Sequence, residues 1–365
     1  MSSLFSDSQS KIFNGIYSGK KVLITGHTGF KGSWLAFWLM QMGAEVCGYA
    51  LEPPTKPNHF DLLKLDIRSE IGDIRDREKL YNVFKNFKPE IVFHLAAQPL
   101  VRLSYKEPLT TLETNIIGTA NIFEACRQTS SVKAVINVTS DKCYENREWV
   151  WGYRENDPMG GYDPYSASKG CAELITTCYR NSYFNLDKYK KEHDLLLASC
   201  RAGNVIGGGD WADDRLIPDI MKAASKGETV IIRKPKSTRP WQHVLEPLNG
   251  YLLVGQKLLE GKKEFADAWN FGPSDSQVLS VEEVIIQMQK YWSDIKFKVE
   301  EDQNAPHEAN LLKLDCSKAH TKLKWKPVWS NEQTFEKTAN WYMSYYNNVA
   351  LNTENNLKHF MNGTF

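Results

Sequence analysis

The chain has 365 residues, of which 42% are hydrophobic and 24% charged. That is the composition of a globular protein with ample core, and the length suits two domains or one large domain with an appendage. Lys plus Arg number 45 against 44 for Asp plus Glu, so the chain carries no general electrostatic footprint for nucleic acid.

In chain order, the first segment, MSSLFSDSQS, is polar and has no apolar signal core. No apolar run reaches the ~18 residues of a membrane span. The seven cysteines are odd in number, and no two are spaced CxxC. Buried, reduced thiols are expected, and with them a soluble, cytoplasmic protein.

Strand-like runs follow at Lys21–Thr25, Glu45–Leu51, Ile91–Ala97, Ala134–Thr139 and Leu195–Ala202. Helix-like segments alternate with them: Gly32–Met42, Asp76–Phe87, Leu109–Thr129 and Tyr165–Arg180. Short apolar strands separated by helices predict an α/β fold, a parallel sheet covered on both faces. Asn181–Asp194 is polar and reads as an excursion. From Gly207–Gly208–Gly209 the rhythm changes. Short strand candidates (Val230–Arg233, Trp269–Phe271, Lys296–Val299, Leu312–Leu314) mix with helices near Pro218–Ser225, Pro247–Leu259, Val281–Trp292, Ser317–Leu323 and Asn331–Tyr346. The expectation is a doubly wound domain over residues 1–205 and a smaller C-terminal α/β lobe over 206–365, with some segments of the latter returning to the main sheet.

The first strand runs into TGHTGFKG, which places Gly26, Gly29 and Gly32 in a turn that opens a helix. In a βα unit such a triplet permits a tight turn, lets backbone amides approach a pyrophosphate, and packs helix on strand. The unpaired N–H groups of the helix N-terminus then face the phosphates. The second strand ends GYALEPPT. Glu52 is the candidate there for the ribose hydroxyls, and Asp73 is a candidate for the adenine side. This leaves NAD against NADP open, and Lys31 would suit the extra phosphate of NADP.

Two further motifs carry chemistry. TSDK closes the Ala134 strand with Ser140, Asp141 and Lys142 in a row. Then YSASK sets Tyr165 and Lys169 four apart, on one helix face. A phenol of pKa near ~10 is a poor base at neutral pH. A neighbouring ammonium favours the phenolate, which can take a proton from a sugar hydroxyl.

With TGHTGFKG (25–32), HLAAQ (94–98), TSDK (139–142), YSASK (165–169) and RAGNVIGGGDW (201–211) in this order, the sequence resembles the extended short-chain dehydrogenases/reductases from about Lys20 to Pro327. Within them it is most similar to the sugar-nucleotide 4,6-dehydratases. It departs from the dTDP- and GDP-sugar branches at Lys142 and fits the branch acting on CDP-glucose. The resemblance implies a Rossmann domain that retains NAD, a homodimer or homotetramer, and a place in the making of 3,6-dideoxy sugars of surface polysaccharides. The eight histidines show no zinc spacing with Cys or carboxylates, so no metal is expected.

It also implies roles. Ser140 holds the C4 hydroxyl and Tyr165 takes its proton. Lys142 is the expected base at C5, and protonated Asp141 the expected acid for the C6 hydroxyl. Thr28, Phe30, Ile74, Leu95, Ala96 and Ala97 join the three glycines, Asp73, Tyr165 and Lys169 around the cofactor. Gln98, Asn204, Arg215 and Arg239 are expected on the substrate, the two arginines because guanidinium binds phosphate in a bidentate manner. His94 reads as a satisfied buried histidine, His27 as lining the cofactor pocket, and Trp211 as core. The C-terminal FEKTANWYMSYY reads as a packing face. Two alternatives stay open. One is a 4-epimerase, for which Asp141 and Lys142 would be bystanders. The other is a non-catalytic dinucleotide sensor.

Overall fold

The computed structural model describes residues 9–232, 234–274, 278–300 and 311–364. Arg233, the last residue of one expected strand, and the N-terminal stretch to Ser8 lie outside the described residues.

The strands are β1 (Lys21–Thr25), β2 (Glu45–Ala50), β3 (Arg68–Ile71), β4 (Ile91–His94), β5 (Ala134–Val138), β6 (Leu196–Ala202), β7 (Asn204–Ile206), β8 (Thr229–Ile232), β9 (Thr238–His243), β10 (Ala268–Phe271), β11 (Val278–Ser280) and β12 (Lys296–Val299). The helices are α1 (Phe30–Gln41), α2 (His59–Leu63), α3 (Arg77–Phe87), α4 (Val101–Lys106), α5 (Pro108–Leu112), α6 (Gly118–Arg127), α7 (Pro164–Ser182), α8 (Leu216–Lys226), α9 (Leu245–Leu259), α10 (Val281–Gln289), α11 (Asn331–Tyr346) and α12 (Thr353–Thr364).

Seven strands form one sheet in the order β10-β6-β5-β4-β1-β2-β3, and every pairing in it is parallel. β1, β4, β5 and β6 are buried almost throughout, as expected of strands covered by helices on both faces. The order reverses between β1 and β4. That is the topological switch point, outside whose carboxyl ends a ligand crevice opens. β10, from the C-terminal half, pairs with β6 and forms the edge of the sheet. The rest of that half forms β11-β9-β7 and a β12-β8 pair.

Sequence and structure part company where polarity or geometry hides an element. β3 reads RSEI and is largely exposed, because an edge strand needs no apolar run. The expected single helix over 109–129 is present with a π turn inside it: α5 runs through Glu113–Ile117 into α6 without leaving helical geometry. Leu312–Leu314 forms no strand; Leu314 makes only an isolated bridge to Tyr153. α7 starts where it should. Pro164 occupies its first turn, and Asp163 caps it by accepting from the Ser166 N–H at 2.9 Å. Among the described residues no helix is long and apolar enough to cross a membrane.

Candidate active site

The glycine turn is fixed by backbone contact. Gly26 has φ +79°, and a Cβ there would lie 2.8 Å from the Ala96 nitrogen. A Cβ on Gly32 would lie 2.0 Å from the Gly26 carbonyl oxygen. Gly29 is the N-cap of α1 and supplies no side-chain cap, so the first amides of the helix, at Phe30 and beyond, are left for an anion. The Leu95 and Ala96 amides donate to the Thr25 carbonyl and hydroxyl at 3.1 and 3.2 Å, which holds the 95–97 stretch over the turn. Thr28 is tied to the Leu51 carbonyl at 2.9 Å. Together these make a cradle lined by main chain, with a shape that suits a dinucleotide pyrophosphate.

At the far side of the cradle, Tyr49 donates to the Asp73 carbonyl at 2.8 Å, and the Arg75 guanidinium holds the Asp73 carboxyl below its usual range. Ile74 is buried, its side chain filling the space above Gly118. Glu52 is exposed. His27 does not line an open pocket. It fills the space over Gly48, meets Phe60 edge-on at 4.9 Å, and bonds the Ser69 hydroxyl at 2.7 Å. Burial pushes it down to about 4, which leaves it neutral. His94 behaves as expected: both ring nitrogens meet threonine hydroxyls, Thr25 at 2.6 Å and Thr119 at 3.1 Å.

The catalytic candidates converge next to this cradle. Ser140, Asp141, Tyr165 and Lys169 are buried, and Lys142 is half-buried. The Ser140 hydroxyl donates to the Asp141 carboxylate at 2.9 Å and accepts from the Lys142 N–H at 3.2 Å. Gly203, at the end of β6, gives Asp141 its room, since a Cβ there would sit 2.8 Å from Oδ2. Burial raises the Asp141 carboxyl, against the pull of Lys142, Ser140, Arg239 and Lys31. That is the direction a proton donor needs.

Tyr165 departs from expectation. Burial pushes its phenol up to about 12, Ser140 and Arg215 favour the phenolate, and Asp141 opposes it. Lys169 Nζ stands 6.0 Å from the ring centroid, and burial brings its own ammonium down to about 8. Desolvation therefore outweighs the activation assigned to Lys169 alone, and the cations that face the phenol include Arg215.

Lys31 also lies elsewhere than expected. The charges that act on it are Arg215, Lys169 and Asp141, and burial brings it down to about 8. It belongs to the catalytic end, so nothing here supports its binding the extra phosphate of NADP. Of the expected substrate residues, Arg215 pairs with Asp210 at 2.7 Å. Arg239 donates to the Thr238 carbonyl at 2.8 Å, and its charge reaches Asp141. Asn204 is half-buried in β7, in register with Trp241. Gln98 is turned inward: its amide bonds Thr111 and Leu100, and Leu100 N–H donates back to it. That engagement anchors a loop and does not favour a substrate contact. Trp211 is core, packed on Trp341 and Tyr345.

Two structural residues, Asn115 and Glu173, went unnoticed in the sequence, and Arg201 appeared only as the first residue of RAGNVIGGGDW. Asn115, inside the π turn, bridges Gln98 and the Ser168 hydroxyl beside Lys169. Glu173 and Arg201 form a buried ion pair at 2.8 Å under the strand end. A π turn carries no residue signature, although such turns often mark functional sites. Among the described residues no cluster fit for a metal ion occurs.

The sequence pattern of the family described as GDP-mannose 4,6 dehydratase matches residues 23–338. The chain belongs to this family. A CDP-glucose 4,6-dehydratase of Salmonella typhimurium is 55% identical over 336 residues, 92% of this chain and 93% of that protein. Among solved structures, a Thermus thermophilus UDP-glucose 4-epimerase in complex with NAD superposes with a TM-score of 0.75 at 23% identity, covering 88% of this chain and 99% of that one. A Bacillus anthracis dTDP-glucose 4,6-dehydratase in complex with NAD gives 0.72 at 20% identity, covering 91% and 99%. These distant likenesses bear on the fold.

Proposed function

We propose that this chain is an NAD-dependent sugar-nucleotide 4,6-dehydratase that converts CDP-glucose to CDP-4-keto-6-deoxyglucose and water. One observation carries the reading. The buried Ser140–Asp141 pair, with Lys142 beside it, stands next to Tyr165 and Lys169 in a chain 55% identical to a CDP-glucose 4,6-dehydratase.

The main-chain cradle of Gly26, Gly29 and Gly32 would hold the dinucleotide pyrophosphate, with Thr28, Phe30, Asp73, Ile74 and the 95–97 loop around it. Bound there, NAD supplies an acceptor for the C4 hydrogen and a donor to C6. The chain's own groups do the proton work. Ser140 orients the C4 hydroxyl, and Tyr165 takes its proton as C4 becomes a ketone. That ketone acidifies the C5 proton, which Lys142 removes. Asp141 protonates the C6 hydroxyl, which leaves as water. When C6 receives its hydrogen, a proton returns to C5. Starting and ending oxidation states match, so no outside reductant is needed.

Arg215, Arg239 and Asn204 are proposed for the substrate diphosphate. Asn204 lies on β7 and Arg239 on β9 of the three-stranded sheet, and Arg215 is the N-cap of α8, whereas the glycine turn follows β1 of the large sheet. That division supports a cofactor half and a substrate half. The exposed apolar side chains Leu109, Ile117 and Leu174, on α5, the π turn and α7, support a homo-oligomer formed through this face. The cytoplasm fits a nucleotide-sugar substrate.

An epimerase that uses the same Ser140, Tyr165 and Lys169 is the second reading, favoured only by the fold likeness. Mass spectrometry separates the two. Purified protein incubated with CDP-, dTDP-, UDP- and GDP-glucose, without added NAD, should remove one water from CDP-glucose. Conversion without a change in mass would replace the dehydratase by an epimerase. Water loss from another nucleotide would reassign the base.

A further inference from the structure

We infer that Glu173 is a positioning residue that, through Thr139 and Arg201, locks the strand-end half of the active site against the helix half. The inference rests on the reaction proposed above only for the choice of assay.

Tyr165, Lys169 and Glu173 recur at four-residue intervals on α7 and so share a face. The first two are catalytic candidates. Glu173 points instead beneath the strand end, where its carboxylate accepts from the Thr139 hydroxyl at 2.5 Å, the Ser199 hydroxyl at 2.7 Å and Arg201 Nη2 at 2.8 Å. Arg201 also donates to the Tyr144 hydroxyl at 2.6 Å and to the Glu155 carbonyl at 2.9 Å. Tyr144 in turn donates to Asn270 on β10 at 2.7 Å. Thr139 immediately precedes Ser140, and Tyr144 immediately follows Cys143. The stretch carrying Ser140, Asp141 and Lys142 is therefore held at both ends by one network centred on one carboxylate of α7.

All the side chains of this network named here are buried, apart from that of half-buried Glu155, which accepts from Arg201 through its carbonyl and from the Asn270 N–H through its carboxylate. A buried ion pair is a poor source of stability, because desolvating two charges offsets most of their attraction, and apolar side chains of like volume often do as well. What it supplies is direction: three bonds of fixed geometry tie the end of β5 and β6 to α7. Glu173 also sets charge, since its carboxylate opposes the burial that lowers the Lys169 ammonium.

The discriminating experiment compares two hydroxyl deletions on the same carboxylate. Thr139→Val and Ser199→Ala each remove one bond to Glu173, but only Thr139 is joined to the catalytic stretch. A merely structural role lowers the melting temperature of both and leaves kcat of the folded protein alone. Positioning predicts that Thr139→Val lowers kcat about 10- to 100-fold, the effect of a misplacement near 1 Å, with KM unchanged. Thr139→Ser restores the wild-type rate, and Ser199→Ala keeps it. Should Thr139→Val fold poorly, Thr139→Ala carries the same expectation. Equal kcat for the Thr139 and Ser199 variants would overturn the inference, as would failure of Thr139→Ser to rescue. Wild type assayed alongside reports separately on the reaction: an epimerised product would sink the dehydratase reading, yet the comparison of kcat values would still stand. A crystal structure of Thr139→Val needs no substrate, and an unchanged separation of Ser140 from Tyr165 in it would also overturn the inference.

Discussion

At the glycine turn, position is set by what is absent. No side chain stands between Gly32 and the Gly26 carbonyl, or between Gly26 and Ala96, so main chain meets main chain. Two strands along the same sheet, at the end of β5, position is set by charge: Glu173, Arg201, Asp141, Lys169 and Lys31 lie in and under a buried cluster. The first region tolerates no added atom. The second tolerates atoms but not a change in protonation or hydrogen bonding. On the proposed reaction, the first would hold the dinucleotide pyrophosphate and the second would pass protons.

Substitutions can set the two regions apart. Gly32→Ala should have the largest effect. Its Cβ would meet the Gly26 carbonyl oxygen, which cannot retreat without breaking the turn, so the purified protein should carry no dinucleotide. Full retention, measured on denatured protein by chromatography, would mean that the cradle lies elsewhere. Tyr165→Phe should retain cofactor and lose about 10²- to 10⁴-fold in kcat, the usual worth of a general base. Activity at the wild-type level would remove Tyr165 from the chemistry. Asp141→Asn should leave C4 oxidation in place and slow water loss about a hundredfold or more. Ketone would then accumulate on a sugar that still has its C6 hydroxyl, and an unaltered product would show that Asp141 is a bystander.

Smaller effects come from titration. Burial brings Lys169 down to about 8, so its positive charge fades as pH rises through that value. kcat/KM should therefore fall on the alkaline side of about 8. Lys169→Arg, which stays charged, should remove that limb. A limb that survives belongs to Lys31, which burial brings to the same range.

The smallest effect lies outside the site. Glu246 is buried and pushed up to about 7, although it accepts the Val328 and Trp329 amides at 2.8–3.0 Å. Its folded pKa exceeds the unfolded one. The folded state thus holds the extra proton between about 4.5 and 7, and stability falls as pH rises across that window, by roughly 3 kcal/mol at most. Glu246→Gln should flatten this part of the Tm-against-pH curve, and an unchanged slope would contradict the assignment.

What could be read without coordinates follows the same division. The glycine turn, the Tyr165–Lys169 pair and the apolar strands are local, because neighbours in sequence are neighbours in space. The Glu173–Arg201 pair spans 28 positions and the Asn115–Ser168 bond 53, and nothing in either local sequence announces a partner. Burial is the other hidden quantity. It raises the Tyr165 phenol against the expected pull of Lys169, and the charges that face Lys31 are those of the catalytic end. Gln98 makes a related point: its amide is bonded to Thr111 and Leu100, and beside a site an amide serves the loop as readily as the ligand.

The most direct test follows the hydrogen that leaves C4. CDP-glucose carrying deuterium at C4 is turned over by the purified protein, and the product is examined by proton NMR. The account requires one deuterium in the C6 methyl group of a 4-keto product, with solvent hydrogen at C5. Deuterium remaining at C4 in a product of unchanged mass would contradict it, and would make Asp141 and Lys142 neighbours of an epimerisation in which they take no part.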